Sequence, residues 1–383
     1  MRPKKMRQMA AFAMAAVMSA GMIPTGSIFA LAEESTEAAT EAATEATTEA
    51  GTETGDVAMH TVTDLEGNEL EVPVHPQRIA VLPDAICSLT WLLEGSGDDM
   101  LCLTESSKGD WEDYLGHLVY PDMADLRTDL MDNMEELAAA DPDLVITMTG
   151  GGWYDDQNEQ LAALGIPTYA ITSEALYGDP VTVIQSMGEL LDCKDRADQL
   201  IFYMQDTDSY IDGKIEELGD ITPQRVYNAV WVDDMKAWTA GSINGQIIKD
   251  LKAENISEDE ASSTAFSMEE ILNYDPEVLI LSFTDYQPQD FYDNKVPGQD
   301  WSTVSAVVNK KVYGAPVCMQ GWAQSFSAEK FLYKRWMASI LYPDTFPMSE
   351  TEDYIRSYLK DFYNYDISDD QIKECMRYAD NGM

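Results

Sequence analysis

The sequence predicts an α/β protein of two similar lobes joined by one long helix, and two observations lead there. Met134 to Ile146 reads MEELAAADPDLVI and Met268 to Ile280 reads MEEILNYDPEVLI, alike in character position for position. Each is a short helix opening on acidic residues, then Asp-Pro, then a continuous apolar run of the kind buried on both faces of a parallel sheet. Two copies of one helix–strand unit imply two α/β lobes. Between the copies, Ala197, Leu200, Ile201, Met204, Ile211 and Ile215 recur at helical spacing. Asp195 near the start and Gly219 beyond the end delimit a helix of about 25 residues, placed to bridge the lobes.

The elements follow in order. Arg2, Lys4, Lys5 and Arg7 precede the apolar stretch Met9–Ile23, which Pro24 and Gly26 break, and Ala30-Leu31-Ala32 has the small-x-small form of a cleavage site. Residues 1–32 are therefore expected to be a secretory signal peptide, too short in its apolar part to span a bilayer comfortably. The first cysteine is Cys87, so an acylated Cys after the signal is not expected. Residues 33–56 are a Thr/Glu/Ala near-repeat with eight acidic and no basic residues. Such a stretch cannot bury enough apolar surface to order itself and is expected to be a solvated linker. Thr61–Val74 forms a hairpin pattern turning at Glu66-Gly67-Asn68. Arg78–Leu82, Leu144–Ile146, Thr168–Ile171, Arg225–Trp231, Val278–Leu281 and Lys311–Tyr313 are the expected strands. This sets boundaries at 57–180 for the N-terminal lobe, 181–219 for the helical segment and 220–383 for the C-terminal lobe.

Composition excludes several functions. The chain of 383 residues carries 69 acidic and 24 basic side chains, a net charge of −45. Nucleic acid and anionic lipid are not expected as partners, because both are bound through Lys and Arg. The five cysteines are too few and too scattered for a disulfide scaffold and are expected to be buried free thiols. Three histidines do not supply a transition-metal site. The sequence contains no GxSxG, HExxH, P-loop or CxxC, so neither an enzyme nor a resident metal or cofactor is expected.

From about Thr61 to Ile372 the chain resembles the substrate-binding proteins of ABC importers for iron–siderophore complexes, haem and cobalamin. The resemblance rests on TVTDLEGNELEVPVHPQRIAVL from Thr61, MEELAAADPDLVI from Met134, MGELLDCKDRADQL from Met187, AWTAGSINGQIIKDLKAENIS from Ala237, MEEILNYDPEVLIL from Met268, VSAVVNKKVYGAPV from Val304 and LYPDTFP from Leu341, in that order. It implies two Rossmann-like lobes bridged by one long α-helix, a ligand cleft between them, and little lobe movement on closure. It also implies that one exposed carboxylate per lobe docks on the permease dimer, here Glu135 and Glu269. The competing explanation is that acidic residues favour a helix's first turn, which accounts for Glu136 and Glu270 as well.

Ligands of open α/β lobes bind beyond the carboxyl ends of the strands. That rule selects Pro83 and Asp84, then Met148, Thr149, Gly151, Trp153 and Tyr154, and in the second lobe Trp231, Trp238, Tyr286 and Trp322 as ligand-binding candidates. Flat aromatic surfaces suit a corrin, a haem or an aromatic iron chelate, and the glycines can bring main chain close to a ligand. Basic residues near the expected cleft are few, namely Lys108, Lys236 and Arg127, which disfavours a highly anionic chelate. The expectation is an exported monomer that captures a chelated iron, corrinoid or haem-type ligand for an ABC permease. The alternatives are a surface scavenger without a permease and a binder of metal oxyanions.

Overall fold

The computed structural model describes residues 58–130, 133–259, 261, 263–282, 284–324 and 326–383. The expected signal peptide and the acidic linker lie outside the described residues. The chain opens with the hairpin β1 (Met59–Thr63) and β2 (Glu69–Pro73), turned by the Asp64 carboxylate, which accepts from Glu66 N and Asn68 N. β3 (Ile79–Val81) runs through Pro83 into α1 (Asp84–Glu94), followed by α2 (Glu105–Asp113), α3 (Gly116–Val119) and a 3-10 turn, Pro121–Asp125. α4 (Met134–Ala139) leads to β4 (Leu144–Thr149), α5 (Asp155–Leu164) to β5 (Thr168–Thr172), then α6 (Ser173–Gly178), α7 (Pro180–Leu190) and the 24-residue α8 (Lys194–Glu217). The second half is β6 (Arg225–Trp231), β7 (Lys236–Trp238), α9 (Ile243–Asp250), β8 (Glu254–Asn255), β9 (Ser263–Ala265), α10 (Met268–Tyr274), β10 (Val278–Leu281), α11 (Pro288–Tyr292), α12 (Ser305–Val308) and β11 (Val312–Gly314). α13 (Lys330–Leu341), α14 (Met348–Tyr363), α15 (Asp369–Cys375) and α16 (Tyr378–Asn381) close the chain.

Each lobe holds a parallel sheet. The first is β3-β4-β5, and the second has the order β11-β10-β6-β7-β9, with β8 beside the start of β6. The continuous apolar runs are buried on both faces, as parallel strands require. Ile79, Val81, Leu144 and Ile146 enter one apolar cluster, while Ala80, Leu82 and Val145 enter another on the opposite face. The antiparallel strands β7 and β9 carry weak apolar patterns and are not apparent from sequence alone.

The sequence repeat is a structural repeat. Asp141 and Asp275 both take left-handed backbone angles, φ 52° and 49°, after α4 and α10. An arginine that opens the neighbouring strand caps each helix end. Arg78 Nε donates to the Asp141 carbonyl at 2.8 Å, and Arg225 Nε donates to the Asp275 carbonyl at 3.0 Å. Cations at helix C-termini satisfy the last carbonyls and oppose the negative end of the dipole.

The large apolar cluster does not stop at the lobe boundary. It runs from β3 and β4 through α7 and α8 into α13 and α14. Buried cations reinforce this junction. Arg335, 4% exposed, donates to Thr207 Oγ1 at 2.8 Å and Asp206 Oδ2 at 3.0 Å and stacks 3.4 Å from the Tyr354 ring centroid. Lys334 bridges Asp208 of α8 and Asp250 of α9, at 2.8 and 2.9 Å. Arg196 of α8 reaches the Leu92 carbonyl at 2.7 Å and the Phe362 carbonyl at 3.0 Å.

α9 starts against main chain. A Cβ on Gly245 would sit 2.0 Å from the Thr239 carbonyl oxygen, where Ser242 Oγ accepts from Gly245 N. Gly245→Ala is expected to lower stability by about 1–3 kcal/mol through this overlap, read as a fall in the thermal unfolding midpoint.

Candidate functional site

The carboxyl ends of β3, β4 and β5 converge in the first lobe. Pro83 is buried at the start of α1, and Asp84 opens that helix. Its carboxylate accepts hydrogen bonds from Thr104 and Ser106, yet enclosure by surrounding protein raises its pKa above the ordinary carboxylate value. The residue is still open to water, so Asp84 sits in a recess rather than in the core. Tyr154 and Tyr177 lie close enough for the Asp84 charge to bear on them. Both phenols are pushed up, chiefly by burial, Tyr177 to about 12.

β4 extends three residues beyond the expected Leu144–Ile146. Met148 is consequently a buried strand residue of the core and not a loop residue. Thr149 ends the strand, and its Oγ1 is buried without a partner among the described residues. The strand end is held by Asn158, which receives the Thr147 hydroxyl at 2.6 Å and donates to the Met148 carbonyl at 3.1 Å. Gly150 and Gly152 take φ of 80° and 75°, and a Cβ on Gly151 would fall 2.3 Å from the Trp153 ring. The glycine run therefore lets Trp153 lie against its own loop.

In the second lobe, Trp231 ends β6, and Tyr286 follows β10. Together with Asp233, Thr284, Asp285 and Asp290 they line a cavity of about 390 Å³. Tyr286 donates to Asp233 Oδ1 at 2.8 Å, a bond to the neutral phenol that raises its pKa. The Lys236 ammonium lies 5.0 Å from the Trp231 ring centroid.

Two predicted loop aromatics are placed differently. Trp238 lies in β7, 5% exposed, with Nε1 unpaired among the described residues. The sequence rule missed it because β7 interrupts the expected loop. Trp322 is 0% exposed, and its indole donates to Glu329 Oε2 at 3.0 Å; it is a core residue here. Its fixed place comes from a strap, residues 315–328, that crosses to the first lobe. Leu115 N donates to the Cys318 carbonyl at 2.9 Å, and Gln324 Nε2 to Asp110 Oδ2 at 2.9 Å.

Sequence reasoning also missed Lys330. Its ammonium is enclosed and donates to Asn244 Oδ1 at 3.1 Å, to the Trp322 carbonyl at 2.8 Å and to the Gln324 carbonyl, and burial pulls its pKa down to about 7. It borders a second cavity, about 270 Å³, between α7, α8, α9 and α13. No motif announces it, because its partners come from two segments, the start of α9 and the strap just before Lys330, that only the fold brings together.

The two expected docking carboxylates are exposed on equivalent helices. Their neighbours are occupied: Glu136 pairs with Arg127 at 2.9 Å, and Glu270 closes a capping box with Ser267. Glu135 and Glu269 make no side-chain hydrogen bond or ion pair among the described residues. No group of three or more His, Cys, Asp or Glu is placed to hold a metal ion among those residues, and no described helix is long and apolar enough to cross a membrane.

Residues 89–317 match the periplasmic binding protein family, and the chain belongs to it. Proteins of this kind bind small ligands and deliver them to ABC permeases. Among relatives, the molybdate-binding protein MolA of Haemophilus influenzae is 22% identical over 80% of this chain and 92% of its own. The molybdate-bound MolA structure superposes with TM-score 0.67 at 19% identity, covering 81% of this chain and 99% of MolA. A periplasmic solute binding protein of Veillonella parvula superposes with TM-score 0.77 at 28% identity, covering 85% and 99% of the two chains. Helicobacter pylori CeuE with bound Ni(II) gives 0.62 at 15% identity, covering 83% and 99%.

Glu329 supplies a pH test of the strap. It is fully buried, accepts from Trp322 and from Tyr363 at 2.9 Å, and burial raises its pKa from 4.5 to about 7. The folded state thus holds the extra proton between these values, and stability falls as pH rises from 4.5 to 7. The loss is on the order of 3 kcal/mol. Glu329→Gln is expected to remove that slope between pH 4.5 and 7 in chemical denaturation at a series of pH values.

Proposed function

We propose that this periplasmic binding protein captures a metal chelate of the siderophore, corrinoid or haem class that is not highly anionic. It then hands the chelate to an ABC permease. The observation that carries this reading is the charge of the strand ends. Asp84 stands with Tyr154 and Tyr177 on one lobe, and Asp233 with Tyr286 and Trp231 on the other. Two of the basic candidates are committed elsewhere. Lys108 donates to the Met123 and Ala124 carbonyls, and Arg127 is held by Asp129 and Glu136. Only Lys236 of the three remains near this surface, against Trp231. Aromatic faces and hydroxyls beside carboxylates favour a neutral or cationic chelate and penalise a highly anionic one.

A second reading is a metal oxyanion. The likeness to MolA favours it, as does the Thr149 hydroxyl at the end of β4, buried without a partner among the described residues. Main-chain N–H groups of the Gly150–Gly152 turn are suitable oxyanion donors. Delivery rests on Glu135 and Glu269, one from each repeat. They have no side-chain partners among the described residues, whereas Glu136 is paired with Arg127 and Glu270 closes a capping box. Matched charges on two lobes set register against a two-fold permease. The expected export signal and linker support capture outside the cytoplasm.

Titration of the purified chain with haem, cobalamin, ferric siderophores and molybdate, followed by tryptophan fluorescence, separates the readings. Saturable quenching by one chelate that is not highly anionic is expected, with molybdate inert; saturation by molybdate alone replaces the first reading with the second. For delivery, the double change Glu135→Lys and Glu269→Lys should cut cellular uptake roughly ten-fold or more while leaving the ligand Kd within about two-fold. Undiminished uptake removes the docking role and leaves room for a scavenger without its own permease.

A further inference from the structure

The strap after β11 and the C-terminal helices are tied together at several points. Val317 N donates to the Cys375 carbonyl at 2.9 Å. Gly314 N donates to Asn381 Oδ1 at 2.7 Å, and Asn381 Nδ2 donates back to the Gly314 carbonyl at 3.2 Å. Val317 also pairs with Gly321, which folds the residues between them into a tight turn and fixes Cys318 on it. Cys318 and Cys375 are 0% and 5% exposed, both are free thiols, and both belong to one apolar cluster. The Cys318 thiol lies beside that of Cys375, the first cause of its raised pKa. A main-chain bond from Val317 to Cys375, with a thiol–thiol contact one residue on, is the arrangement that brings two cysteines within disulfide reach, about 7 Å between Cα atoms.

We propose that Cys318 and Cys375 are a disulfide-forming pair, closed when the chain folds in the presence of an oxidant, and that the bond staples α15 and α16 to the strap that carries Trp322 and Gln324. The other cysteines are engaged elsewhere. Cys87 bonds to Thr104 and Ser107, and the Cys193 thiol donates to the Leu191 carbonyl at 3.2 Å. The inference does not depend on which ligand the cleft takes.

The chemistry is thiol–disulfide exchange with an external disulfide, low-molecular-weight or carried by an oxidoreductase. One cysteine thiolate attacks the oxidant and expels one thiol. The second thiolate attacks the mixed disulfide and expels the other. Cys318 and Cys375 together give up two protons and two electrons, and the oxidant's S–S bond takes them up as two thiols. In the finished fold the neighbouring Cys375 thiol and burial hold the Cys318 thiol well above its ordinary pKa. Exchange therefore belongs to folding, before the C-terminal helices dock. The ring so closed spans about 60 residues, a length at which closure strongly restricts the unfolded chain.

The test is refolding of the reduced full chain in a mixture of reduced and oxidised glutathione, followed by alkylation, peptide mapping and thermal melting. The expected result is alkylation at Cys87, Cys102 and Cys193 only, a peptide pair joining Cys318 to Cys375, and an unfolding midpoint roughly 5–10 °C above that of the reduced protein. Cys318→Ser should show four alkylated cysteines and no midpoint difference between the two buffers. Five alkylated cysteines, glutathione retained at either position without a link, or a link between any other pair, Cys87 and Cys102 included, overturns the pairing. A Cys318–Cys375 link with an unchanged midpoint overturns the stapling role.

Discussion

The contact between α8 and α13 is the constraint on which the rest of the structure depends. α8 leaves the first lobe and α13 belongs to the second, and Arg335 and Lys334 fasten them with charges that have little access to water. Buried cations are costly unless paired, and their hydrogen bonds are directional. The pairings to Asp206, Thr207, Asp208 and Asp250 therefore specify one register between the two helices. Apolar packing alone would tolerate sliding. Arg196 repeats the device at the other end of α8, where it caps α1 and α14 together.

That register determines how the two sets of strand ends stand. The first lobe contributes Asp84, Tyr154 and Tyr177, and the second contributes Trp231, Asp233 and Tyr286. None of these six is sequence neighbour to its counterpart, and their arrangement is inherited from helices that touch no ligand. The strap reinforces the arrangement. It is held by Lys330 and Glu329, two adjacent ionisable residues that both bond to Trp322 and whose pKa values burial shifts in opposite directions, and it reaches the first lobe through Gln324 and Asp110. Trp322 belongs to this brace, which is why a large aromatic that follows a strand is withdrawn from the surface.

The internal repeat gives the same physics twice and uses it for two purposes. Arg78 and Arg225 cap the ends of α4 and α10, Asp141 and Asp275 turn the chain in the same left-handed conformation, and β4 and β10 follow. At the helix starts the copies diverge in detail. Asn133 caps one and Ser267 the other, and Arg127 has no counterpart beside Glu270. Common to both copies is an exposed carboxylate, Glu135 and Glu269, with no side-chain partner among the described residues.

The sequence alone determined the lobes, the long helix and the repeated acidic positions. Periodicity and an Asp-Pro break are local, and burial on both faces writes itself as an uninterrupted apolar run. It also located the strand ends well enough to put Asp84, Trp153, Tyr154, Trp231 and Tyr286 at or just after them. What it could not determine was orientation. Met148 lies within β4, which runs three residues further than expected, and is buried in the core, and Trp238 sits in a strand whose three residues carry no signal. Lys330 acquires its role from partners more than eighty residues away as well as near ones. Tertiary structure alone decided these, because whether a side chain faces ligand or core depends on which distant segment packs against it.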